Sequence, residues 1–183
     1  MTYTLPKWVS FRSTPGHGYY TISQAKHAEM KKVAPALLRP SPYSHDGSRT
    51  FEEDLEWTRF VIAFPDEFEP EMVESAIRSF RDCYPDEYAE HTGQPVKLED
   101  SRELRRRKYY ADHQDDWLVI SASGSWHETV PAGFVGVVAL KGSEAASRKG
   151  DGRCFLVPEA DYRDRGEFEF VVPAGSPAWP GKE

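Results

Sequence analysis

Apolar and polar residues alternate from Trp8 to Arg12 and again from Tyr19 to Ile22, on either side of Thr14-Pro15-Gly16-His17-Gly18. Alternation of period two, interrupted by a Pro- and Gly-rich run, predicts two short strands joined by a turn. The period then lengthens. Ala25, Ala28 or Met30, and Val33 follow Ser23, a residue suited to cap a helix, so a helix is expected to end near Pro35. Arg39 to Thr50, with Pro40, Pro42 and Asp46-Gly47, reads as a structured loop or hairpin. Over the next stretch the spacing fits a strand beginning at Leu55 or Thr58 and fits a helix over 53–63 equally well.

A plainer helix follows. Pro70 stands at its first position, Glu71 and Glu74 suit the positive end of its dipole, and Val73, Ile77, Phe80 and Tyr84 recur at helical spacing. Pro85 should break it, with a further turn over Asp86 to His91 closed by Gly93. Ser101 is placed to cap another helix running to His113.

The last third changes character. Trp117–Ala122, Gly133–Leu140, Cys154–Val157 and Phe168–Val172 are β-branched or aromatic runs separated by Gly, Pro, Ser and Asp, and two of the gaps are too short for a crossover helix. An antiparallel meander is expected, with Lys141 to Arg153 as a mobile hairpin loop. The fold class is therefore α+β, a mainly antiparallel sheet with about three to four helices packed on one face. A single domain over 1–173 and a flexible tail over 174–183 are expected for a chain of 183 residues.

Charge adds something the pattern does not. The net charge is −7, yet Phe51 to Thr92 alone holds 13 acids against three bases, a local balance of −10 that leaves +3 for the rest. Such a face repels phosphates and favours a basic partner surface. No apolar run is long enough to cross a bilayer and the N-terminus lacks a signal-peptide layout, so a cytoplasmic protein without membrane contact is expected. With only Cys83 and Cys154, a cysteine metal framework is excluded and reduced thiols are expected.

The chain contains no Walker A loop, Rossmann glycine pattern, nucleophile elbow, His-Glu-x-x-His or Cys-x-x-Cys. No cofactor and no metal are expected, and catalysis is disfavoured. The most suggestive cluster is Gly16-His17-Gly18, where two glycines leave an imidazole at a loop tip, able to act as base, ligand or recognition group. A β-turn whose His bonds its own loop explains it as well. Asp112-His113-Gln114-Asp115-Asp116 offers metal-ligand types, but such runs commonly cap helix ends. Arg102, Arg105, Arg106, Arg107 and Lys108, followed by Tyr109 and Tyr110, have the look of a phosphate-contacting helix. Pairing of those bases with the chain's own acids is the favoured alternative.

The blocks Thr14-Pro15-Gly16-His17-Gly18-Tyr19, Ser41-Pro42-Tyr43-Ser44 and Phe51-Glu52-Glu53-Asp54 resemble those of an uncharacterised family of short bacterial proteins. That family has a Pro-x-His-Gly turn, then a Ser-Pro-Tyr-Ser loop, then an aromatic-Leu-Glu-Glu-Asp segment. The likeness covers roughly the N-terminal third, and Phe51 lacks the leucine that follows the aromatic residue in the family. The resemblance implies carriage on plasmids or other mobile elements and supplies no activity. It also implies that His17, Tyr43 and the acids Glu52, Glu53 and Asp54 belong to one constellation.

Three functions compete. The first is a non-catalytic interaction or accessory factor of a mobile element, binding a basic protein through His17, Tyr43, Glu52, Glu53, Asp54 and Trp57. The second is a small hydrolase-like enzyme using His17 with Glu53 and Asp54. The third is a nucleic-acid-associated regulator using the Arg102 to Lys108 helix. Neither the partner nor the oligomeric state is fixed by the sequence.

Overall fold

The computed structural model of the protein describes residues 4–38 and 47–181. The expected loop over Arg39 to Thr50 falls largely outside the described residues, and Tyr43 with its Ser41-Pro42-Tyr43-Ser44 block lies wholly outside them. The α+β expectation is met by antiparallel sheets with α-helices. Where one domain over 1–173 was expected, the chain forms two compact units, Met1–Leu104 and Arg105–Glu183. The apolar residues account for this, since each unit buries its own cluster around its own sheet.

In the first unit, β1 (Val9–Ser13) and β2 (Gly18–Ile22) form the expected hairpin. α1 (Gln24–Val33) follows, with Ser23 as N-cap accepting a bond from the Lys26 N–H. A strand not foreseen, β3 (Arg49–Glu52), then pairs antiparallel with β2. α2 (Trp57–Ala63) settles the ambiguous stretch as a helix. Thr58, Arg59, Phe60, Val61 and Ile62 are buried in succession, so no face is left to print a period on the sequence. The Phe60 ring meets Trp8, Tyr20, Phe51 and Phe68 with centroids 5.3–6.2 Å apart.

α3 (Pro70–Cys83) buries Met72, Ala76 and Phe80 and leaves Val73 and Ile77 half-buried on the adjoining stripe. α4 (Pro85–Thr92) extends the single turn expected there into two, and Gly93 closes it. Arg59 is buried beneath these helices, donating to Glu87, with its guanidinium 4.6 Å from the Tyr84 ring centre. Lys26 is likewise buried, held by Glu67 and by Glu29 at 3.0 Å. Burial pulls its ammonium pKa down, but the bonds and charges of Glu67 and Glu29 together hold it above the ordinary value.

The division between the units falls within α5 (Arg102–Asp112), whose cap, Ser101, accepts from the Leu104 N–H at 3.3 Å. In the second unit β4 (Trp117–Ser123), β5 (Phe134–Lys141) and β6 (Arg153–Pro158) form an antiparallel meander, with an irregularity between Val119 and Ser121. α6 (Gly142–Ala145) occupies part of the expected loop after β5, and α7 (Glu159–Arg163) follows β6. Val119, Val135, Val137, Ala139, Val157 and Val172 make the main core.

Two expectations are corrected here. Phe168–Val172 is not a full strand: it meets β4 only through a bridge from Val171 to Leu118 and flanking backbone bonds, and Pro173 has no N–H with which to extend the ladder. The tail beyond Pro173 is fixed rather than flexible over its described residues. The Pro177 carbonyl accepts from Leu156 N–H at 2.8 Å, and Trp179 N–H donates to the Cys154 carbonyl at 3.1 Å. Burial of the indole drives this: Trp179 is 4% exposed and its Nε1–H donates to Thr129 Oγ1 at 2.9 Å. Gly136 makes room for it, since a Cβ there would lie 2.8 Å from the indole.

Both cysteines are free, and Cys83 is exposed. No described helix is long and apolar enough to cross a membrane.

Candidate functional site

The hairpin turn of the first unit places His17. Thr14 Oγ1 donates to the His17 carbonyl at 2.7 Å and accepts from the His17 N–H at 3.1 Å, which ties the turn across its base. In the register of β2 with β3, Tyr19 stands opposite Glu52, so both side chains leave the same face of the sheet. His17 Nδ1 comes within 3.6 Å of Glu52 Oε1, with the two side chains 57% and 46% exposed. The His17 and Tyr19 ring centres are 6.4 Å apart.

Asp54 completes this group. His17, Glu52 and Asp54 each offer one ligand-type atom, all within 4.8 Å of one another. An imidazole with two carboxylates is a donor set that suits borderline divalent cations. All three are open to water, however, and among the described residues no buried partner is seen to orient them as ligands are oriented in established metal centres.

Glu53 goes elsewhere. Its N–H donates to the Gly18 carbonyl at 3.0 Å, and its carboxylate lies across Gly18, where a Cβ would sit 1.9 Å from Oε2. There it faces Tyr20, whose phenol is raised above its ordinary pKa first by burial and then by the Glu53 charge. The structure thus gives His17 the partners Glu52 and Asp54, not the Glu53 and Asp54 pair expected from sequence. Trp57 opens α2 and is half-buried against the core, so it is no projecting anchor.

Next to His17 the outer face of the sheet carries a groove of about 390 Å³ lined by Arg12, Thr14, Tyr19, Thr21 and Thr50. The sequence reading missed these residues. The signal was present in the alternation of the hairpin, which sets Arg12 opposite Tyr19 and Ser10 opposite Thr21. Without β3 there was no third strand to carry the rows on to Glu52 and Thr50.

The basic helix holds its own counter-ions. Arg105 forks onto Glu167, with Nε to Oε2 at 3.1 Å and Nη2 to Oε1 at 3.0 Å, and Lys108 donates to Asp112 at 2.7 and 2.9 Å. The Arg106 guanidinium lies 5.5 Å from the Tyr110 ring centre. Burial, followed by the bond and charge of Glu169, raises the Tyr110 phenol to about 12 even though Arg106 lowers it. Arg102 and Arg107 are not free either. His113 Nδ1 sits 2.7 Å from Asp116 Oδ2, a local closure of the helix end.

No curated protein and no solved structure matches the chain. Residues 4–114, well beyond the N-terminal blocks that carried the resemblance, match the domain of unknown function DUF7007, and the chain belongs to that family.

Proposed function

We propose that the protein is a non-catalytic, cytoplasmic interaction factor that docks a partner with a basic surface on the acidic side of its first unit. The observation that carries this reading is the acid excess left after internal pairing. Arg59 is taken up by Glu87, Arg81 by Asp100 at 2.5 Å, and Lys26 by Glu67 and Glu29. Asp66, Glu71 and Glu74 have no ion-pair partner among the described residues. Uncompensated carboxylates of this kind steer a cationic surface toward them and fix its orientation. The likeness of the N-terminal blocks to mobile-element proteins makes an accessory role on such an element the setting of choice.

The test is an affinity pull-down from the source cell at stepped salt, with the wild type beside an Asp66→Lys, Glu71→Lys, Glu74→Lys variant. A partner held at low salt by the wild type and released by the variant is expected. If the same proteins stay on both baits at every salt, the acidic face is not what binds them.

A second function is favoured by one observation, the polar groove that adjoins His17. In a hydrolase-like reading His17 would take a proton from water with Glu52 or Asp54 orienting the imidazole. Activity on any ester or amide panel that survives His17→Ala would remove it.

A further inference from the structure

We infer that the acidic docking just proposed takes place in a groove over α3, and that its occupant is a basic amphipathic helix of another protein; the inference rests on that proposal. The groove, about 550 Å³, has a floor of Pro65, Phe68, Val73 and Ile77 and a rim that includes Asp66 and Glu74. Val73 and Ile77 are one helical turn apart, so together they present an apolar strip along α3. This strip is what remains after Met72, Ala76 and Phe80 have turned to the core.

Charge selects the kind of partner. Asp66, Glu71 and Glu74 keep no ion-pair partner among the described residues, so an apolar ligand flanked by Lys or Arg gains both burial and counter-charge there, whereas an acidic one is repelled. Backbone chemistry selects its conformation. The groove is walled by α3 and by the short 3₁₀ turn Pro65–Glu67, and Pro65 and Pro70 have no N–H, so no strand edge borders it. An extended peptide would lay unpaired N–H and C=O groups against this surface. A helix bonds its own backbone internally and brings side chains at i, i+3, i+4 and i+7 to the strip. A second copy of this chain is a poor occupant. Its most basic helix, α5, already carries Glu167 on Arg105 and Asp112 on Lys108.

The test uses the full chain and a fluorescein-labelled Leu/Lys peptide of about 18 residues, long enough to form a helix on binding. Its leucines are spaced to one helical face, and two controls accompany it: a scramble of the same composition and a Leu/Glu counterpart. Anisotropy titration should show the amphipathic basic peptide binding about tenfold or more tighter than the scramble, with its helicity rising in circular dichroism. Asp66→Lys with Glu74→Lys, both exposed and free to change without unfolding the protein, should weaken binding by about tenfold. The same charge reversal away from the groove, Glu53→Lys with Asp54→Lys, should weaken it by less than about threefold at 0.15 M salt, where distant charges are screened. Val73→Ser with Ile77→Ser, checked for an unchanged far-ultraviolet spectrum, should also weaken it. Equal binding of scramble and amphipathic peptide, or equal loss in the two reversals, overturns the groove and leaves general acidic docking standing. If neither basic peptide binds, both the groove and the acidic docking fall.

Discussion

Along α5, Arg105 is clamped by Glu167 and Lys108 by Asp112, so two of a run of five bases are answered by the chain's own acids. Along α3 and the 3₁₀ turn before it the opposite holds: Asp66, Glu71 and Glu74 keep their charges without an ion-pair partner among the described residues. On sequence alone the basic run resembles a phosphate reader, five cations with two tyrosines, although pairing with the chain's own acids is the favoured reading. The two helices show that a charge run is informative only after its internal counter-ions are subtracted. The cores differ in parallel. The first unit packs aromatic rings around Phe60, while the second is built from small aliphatic side chains on β4, β5 and β6.

The difference between the cores predicts the largest effect. Phe60→Ala removes a ring touched from four sides and should cost about 4 kcal/mol, whereas Val137→Ala, equally buried, should cost about 2 kcal/mol. Urea unfolding of both variants measures this, and equal losses would mean that the aromatic cluster relaxes around the cavity. The next effect in size concerns Glu87, whose side chain is 14% exposed against 6% for its partner Arg59. Glu87→Ala leaves a buried guanidinium with only the more distant Glu56, 3.9 Å away, to answer it and should cost about 3 kcal/mol, while Arg59→Leu with Glu87→Leu should recover most of it. A double variant as unstable as the single one would show that the pair matters through geometry rather than charge.

The same contrast explains what could be read in advance. The hairpin was legible because two alternating runs flank a Pro- and Gly-rich turn, and α3 because Pro70 and the spacing through Phe80 agree on a helix. α2 was not, since burial all round erases any period. β3 was not, since four residues, Arg49–Glu52, make sense only beside β2. That omission passed straight into the site. Whether Glu52 or Glu53 reaches His17 depends on the β2–β3 register, and a shift of one residue sends a side chain to the other face. His17 and the acids could therefore be named from sequence, but not the pairing among them. The tail was misread because its composition is that of a linker, while a single indole, Trp179, anchors it.

A pH effect follows from the second unit. The Tyr110 phenol ordinarily ionises near 10 and is raised to about 12 in the folded chain, by burial first and then by Glu169. A raised folded pKa means that the unfolded chain loses the proton first. The stabilisation is thus complete below pH 10 and drains away as pH rises from 10 toward 12. Absorbance at the tyrosinate band should show late-ionising phenols, Tyr110 among them, and Glu169→Gln should move the Tyr110 ionisation to lower pH, because the acceptor's charge is gone.

The smallest effect tests the comparison most directly. The Arg105 and Glu167 side chains are 35% and 42% exposed, so solvent screens their attraction despite the two-pronged geometry. Arg105→Gln should therefore cost only about 0.5 kcal/mol in urea unfolding. If counter-ions already answer the helix, the wild type should not retain a labelled DNA duplex at about 0.15 M salt, and Arg105→Glu with Arg106→Glu should behave the same. Should the wild type instead bind duplex with a steep salt dependence that this variant abolishes, Glu167 and Asp112 must yield their cations to phosphate. The basic helix would then be an interface that the internal pairs only mask, and the contrast between α5 and α3 would lose its force.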